Sequence, residues 1–164
     1  MRQVEFVPFR LSEVADIFSI KIDGKLNSEL KEFIISFKDT ASENLQKDFE
    51  QIIKTLAEVG EKGARESFFR PEGKFKDRVC AIPIYTAPKN DKQSGTLRLY
   101  CIRISDKLLI VGGGGIKITQ TYEEDDTLSA HVQTLQNIDK ELSRLEKEGK
   151  DIQKEIYNLI IHID

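Results

Sequence analysis

Residues 97–117, LRLYCIRISDKLLIVGGGGIK, decide how this chain is read. Two apolar runs flank Ser105-Asp106-Lys107, which predicts two strands joined by a tight turn. The first run sets arginine and tyrosine among its apolar residues, and the second ends in four glycines and a lysine. Just upstream, residues 78–85 read as a strand with Pro83 near its end, and 89–95 (KNDKQSG) as a polar loop. Residues 75–117 therefore predict an antiparallel meander.

Outward from the meander the period changes. Leu26, Leu30, Phe33, Ile34 and Phe37 recur at helical spacing, and Leu45, Phe49, Ile52, Ile53, Leu56 and Val59 form a second stripe. Thr40 and Glu43 suit a capping box for the second helix, and Gly60 and Gly63 its stop. Ahead of the helices, Phe18, Ile20 and Ile22 alternate onto one face of a strand over 15–22, and residues 3–9 alternate weakly around Pro8. After the meander, Leu128, Val132, Leu135, Ile138, Leu142 and Leu145 mark a closing helix that Gly149 ends. Residues 152–163 fit a helix or a strand. The order strand, two helices, meander, helix predicts one α+β domain over residues 1–164. An antiparallel sheet of about four strands would pack on two N-terminal helices and a C-terminal helix.

The 164 residues are 39% hydrophobic and 32% charged, with the apolar positions clustered and periodic, which excludes a disordered chain. No apolar run is long enough to span a membrane, and the first ten residues lack the apolar stretch of a signal peptide, so a cytoplasmic location is expected. Cys80 and Cys101 lie in strand-like runs and are expected to be reduced core residues; adjacent strands could bring them together, with a disulfide as the less favoured alternative. The net charge of −3 hides a division: residues 62–117 hold twelve Lys and Arg against five Asp and Glu, while both flanks are acidic. A basic middle can bind a polyanion locally, or the flanks can simply carry solvated acidic faces.

Most chemical motifs fail on spacing. The glycine run before Lys117 is not a phosphate loop, because Ile116 precedes the lysine and Ile118 follows it. Those glycines predict either a bulge or a bare floor beside a ligand. His131 and His162 are far apart, no cysteine pair has zinc spacing, and the acidic run 123–126 suits a helix N-terminus, so no metal is expected. No nucleophile elbow and no cofactor fingerprint is present, so no cofactor is expected. What remains is a basic and aromatic set: Lys76, Arg78, Arg98, Tyr100, Arg103 and Lys117. Arg98 and Tyr100 share one strand face; Arg103 falls on the other parity with Leu97, Leu99 and Cys101. Arg98 and Arg103 read equally well as ordinary solvated sheet residues.

Two amphipathic helices, a meander with a Leu-x-Leu-x-x-x-Arg strand, a following apolar strand, a lysine and a closing helix resemble the RelE/ParE superfamily of toxins. The phrases FFRPEGKFKDRVCAIPI, LRLYCIRISD and GGGGIK are similar to those of RelE-like proteins. The resemblance covers residues 15–149, leaving 1–14 and a C-terminal extension, 150–164, outside it. It implies the toxin of a type II toxin–antitoxin pair, with a cognate antitoxin as partner. The toxin would cleave ribosome-bound messenger RNA without metal, as an mRNA interferase, or bind a protein such as DNA gyrase without catalysis. Carried over by position, Arg103 matches the family's strand arginine and Lys117 the lysine after the last strand. Chemistry adds Arg98 and Tyr100 to the catalytic candidates, and Lys76, Arg78 and Tyr122 as RNA-binding candidates. The chain departs from the family where residues after Lys117 turn acidic.

Overall fold

The segment 97–117 forms the central hairpin of the sheet. In the computed structural model, which describes residues 1–72, 77–84, 95–118 and 126–164, β5 (Thr96–Ser105) and β6 (Leu108–Lys117) pair antiparallel across the Asp106-Lys107 turn. The other strands are β1 (Arg2–Arg10), β2 (Asp16–Ile22), β3 (Arg70–Pro71), β4 (Val79–Ala81) and β7 (Ile160–Ile163). The helices are α1 (Glu29–Phe37), α2 (Glu43–Lys62), α3 (Asp126–Lys147) and a single turn, α4 (Ile152–Glu155).

The strand order is β3-β4-β5-β6-β2-β1-β7, a curled sheet. Among the described residues it has seven strands rather than about four. It is also mixed rather than antiparallel, because β2 lies parallel to β6 with Asp16 opposite Leu108 and Ser19 opposite Val111. The strands beyond β2 come from the two chain segments outside the family resemblance. β1 pairs with β2, and β7, from the ambiguous stretch 152–163, pairs with β1. Pro8 is accommodated because β7 reaches only Glu5, so β1 has lost its outer neighbour where the proline stands.

Two apolar cores lie against the two faces of the sheet. Leu97, Leu99, Cys101 and Ile17 face Leu30 and Phe33 of α1 and Ile52, Leu56 and Val59 of α2. Tyr100, Ile102, Phe18 and Ile20 face Leu128, Val132, Leu135, Ile138 and Leu142 of α3. Each buried aliphatic side chain of that α3 stripe contributes about 1.5–3 kcal/mol, so the stripe packs on its own sheet rather than on a partner helix. Ser28 caps α1 through Lys31 N–H, and Ser42, not Thr40, caps α2 through Leu45 N–H. Gly63, at φ +97°, ends α2.

The three buried polar side chains among the described residues each fasten one helix to the sheet. Ser19 donates to Val111 C=O (2.8 Å) and accepts from Leu30 N–H (3.1 Å), joining α1 to β2 and β6. Asp48 of α2 accepts from Leu97 N–H at 3.1 Å. Asp139 of α3 accepts from Arg78 N–H at 3.0 Å, just before β4. Backbone N–H groups in the first turn of α1, on β5 and just before β4 thereby find acceptors.

Glycines 112–115 lie within β6 and form both a bulge and a seat for α3. The register slips between Leu99 and Cys101, which face Gly114 and Val111. A Cβ on Gly112 would stand 2.9 Å from a Leu135 methyl, and one on Gly113 2.5 Å from the His131 ring. A Cβ on Gly114 would strike the Arg98 carbonyl oxygen, which is backbone and cannot yield; one on Gly115 meets only Leu128 at 3.4 Å. Gly114→Ala should therefore cost about 2–4 kcal/mol in urea unfolding, against less than about 1 kcal/mol for Gly115→Ala. Equal costs would contradict the bulge.

Candidate functional site

The cationic and aromatic set divides into three places. Arg98 and Lys117 stand together at one end of the hairpin. Arg98 lies opposite Gly115, and Lys117 opposite Thr96, so the two are diagonal neighbours on one face with a glycine between their strands. Alternation along β5 places that face on the Tyr100 side. The Arg98 guanidinium donates to Leu97 C=O at 3.3 Å, while its Nε is buried and has no hydrogen-bond partner among the described residues. Burial pushes its pKa below the ordinary arginine value, and the Arg70 cation pushes the same way. A guanidinium stays charged at any physiological pH, and the Glu72 and Asp48 carboxylates nearby only partly offset the burial.

Tyr100 is 1% exposed and belongs to the core under α3. Burial of this depth makes the ring part of the core.

Arg78 and Arg103 are adjacent on neighbouring strands, with Arg103 N–H donating to Arg78 C=O at 3.1 Å. Their side chains leave in different directions. Arg103 crosses to the α2 side, donating from Nε to Ala64 C=O at 2.6 Å and pairing with Asp106 and, at 3.6 Å, Glu66. It latches the hairpin turn to the chain leaving α2, helped by the Ala64 N–H bond to Asp106 C=O at 2.7 Å. Arg78 reaches α3, where Nε meets Asp139 at 2.7 Å and the guanidinium also meets Glu146 at 2.8 Å and Ser143 at 3.2 Å. Burial works against the Arg78 charge, but the Glu146 hydrogen bond and the Asp139 carboxylate outweigh it and raise the pKa. The two arginines border a pocket of about 460 Å³ whose wall includes Glu66, Phe69 and Cys80. Arg98 thus meets Lys117 but not Arg103, which lies on the other face. Lys76 and Tyr122 lie outside the described residues.

The glycine floor has a neighbour that spacing alone did not single out. His131 and Glu29 both overhang Gly113 at a cavity of about 270 Å³, which Arg2, Asp23 and Lys25 also line. The signal was present: His131 follows Leu128 by three residues and precedes Leu135 by four, which puts it on the buried stripe of α3. No group of three or more metal-ligating side chains occurs among the described residues, and no helix among them is long and apolar enough to cross a membrane.

Replacing Arg78 by alanine should lower unfolding stability by about 3 kcal/mol, since Asp139, 4% exposed, would lose its buried counter-charge. Asp139→Asn in the same chain should recover part of that loss in a urea titration; full additivity would show that the two groups do not interact. Compared with models of known protein families and with curated proteins, the chain finds no match.

Proposed function

We propose that this chain is a RelE-like toxin of a toxin–antitoxin pair that acts on ribosome-bound messenger RNA, with Arg98 and Lys117 holding the scissile phosphate. The observation that carries this reading is the Arg98 guanidinium: its Nε is buried without a partner among the described residues, Arg70 repels it, and Lys117 stands diagonal to it. A phosphate supplies an acceptor for that Nε, and two cations on one face can hold the extra charge of a five-coordinate phosphorus. The order of β2, α1, α2, the β3–β6 strands and α3 is the order the family resemblance implies, and supports the same reading. The cognate antitoxin would then cover this end of the hairpin. In this reading Tyr100 and Arg103 act through the fold, Tyr100 in the core and Arg103 as the latch of the hairpin turn.

A second reading has its own support. Arg78 and Arg103 are held by carboxylates and Tyr100 lies in the core, which suits a toxin that binds a protein, such as DNA gyrase, without cutting RNA.

In a translation extract, the purified chain should cut messages at the ribosome. Arg98→Ala and Lys117→Ala should each reduce cutting by about 10²-fold with little change in melting temperature. Cutting retained by both variants would remove the assignment. No cutting by the intact chain, with inhibition of gyrase supercoiling, would establish the second reading.

A further inference from the structure

We propose that Cys80 and Cys101 form a dithiol site that a carboxylate-bearing low-molecular-weight disulfide converts into a cross-strand disulfide, tying β4 covalently to β5. The two residues are register partners on adjacent antiparallel strands, and their Sγ atoms lie 3.4 Å apart as free thiols. Cα atoms of opposed antiparallel residues stand about 4.5–5.5 Å apart, inside the roughly 4.4–6.8 Å that disulfides span. Side-chain rotation is therefore enough to close the bond, and the strands need not separate.

The two thiols differ in access. Cys101 is 0% exposed, while Cys80, 6% exposed, lies on the wall of the 460 Å³ pocket that Arg78 and Arg103 border. Arg103 on that wall offers a guanidinium to which a carboxylate of the oxidant can bind. The Glu66 partner of Arg103 is 86% exposed and can yield its place to such a group. Burial, together with the contact to Cys80, holds the Cys101 thiol well above its ordinary pKa, so Cys80 reacts first.

In the first step the Cys80 thiolate, its proton lost to water, attacks one sulfur of the oxidant R–S–S–R. A Cys80–S–S–R bond forms and RS⁻ leaves. Cys101 then gives its proton to solvent and attacks Cys80 Sγ, forming the Cys80–Cys101 bond and expelling a second RS⁻. Two protein thiols are oxidised by two electrons, and one small disulfide is reduced to two thiols. The product fixes the three-residue strand β4, and with it the Arg103 pocket, to the central hairpin.

The test uses the full folded chain and oxidised glutathione in excess at about pH 8, near the ordinary thiol pKa. Intact mass should fall by two hydrogens, no cysteine should alkylate after unfolding, and dithiothreitol should reverse both results. Cys101→Ser should stop at one glutathione adduct on Cys80, and Cys80→Ser should acquire none. The wild-type arm decides alone if a serine variant fails to fold. Two alkylatable thiols after prolonged oxidation, or only intermolecular dimers, would overturn the proposal.

Discussion

Helix α3 rests on a stretch of β6, residues 112–115, that presents no side chains. Over Gly112, Gly113 and Gly115 the sheet surface drops, and Leu135, His131 and Leu128 descend into the gap. Tyr100, Ile102, Phe18 and Ile20 gather under the same helix, so this contact organises one of the two cores. It also sets the position of Asp139, which captures both the backbone and the guanidinium of Arg78 and so ties the short strand β4 to the helix. Side chains larger than hydrogen along this stretch of β6 would lift α3 and uncouple both contacts. Interiors are too closely packed to absorb such a shift.

This arrangement narrows where chemistry can occur. Glycines that looked like a bare ligand floor are largely covered by α3, and the rim beside His131 and Glu29 opens onto a cavity. Cations that looked like one patch serve different ends. Arg78 braces α3, and Arg103 latches the hairpin turn to the chain after α2. Each is paired with carboxylates of the fold, so a phosphate there would have to displace a partner already in place. Arg98 differs in kind. Its neighbours include another cation, and its buried Nε finds no acceptor among the described residues. The energetic asymmetry is large, because an unsatisfied buried donor costs about 1–3 kcal/mol and a ligand that satisfies it recovers that penalty on binding.

Local patterns in the sequence carried the elements they encode directly. The hairpin turn at 105–107, both stripes of α1 and α2, and the α3 stripe follow from period and turn residues alone. Alternation also separated Arg98 from Arg103, because strand parity does not depend on partners. Pairing between distant segments was not legible. Nothing local tells residues 16–22 to run parallel to 108–117, or 160–163 to add a seventh strand beside β1, since these choices depend on which apolar faces remain uncovered once the helices dock. Cap choice was decided by geometry: Ser42 stands next to the first helical residue and reaches Leu45 N–H, which Thr40 is too early in the chain to do. The individual fates of the arginines were hidden for a similar reason. Asp139 lies 61 residues from Arg78, and Ala64 lies 39 from Arg103.

The account stands on the seating of α3 against the glycine strand, and solution NMR reads that contact directly. A strong nuclear Overhauser effect should connect the His131 ring protons with the Gly113 α-protons, and the amides of 112–115 should exchange only as fast as the whole domain unfolds. Rapid exchange at those amides, with no signal between His131 and Gly113, would mean that the glycine surface is open and that this description of both the core and the site is wrong.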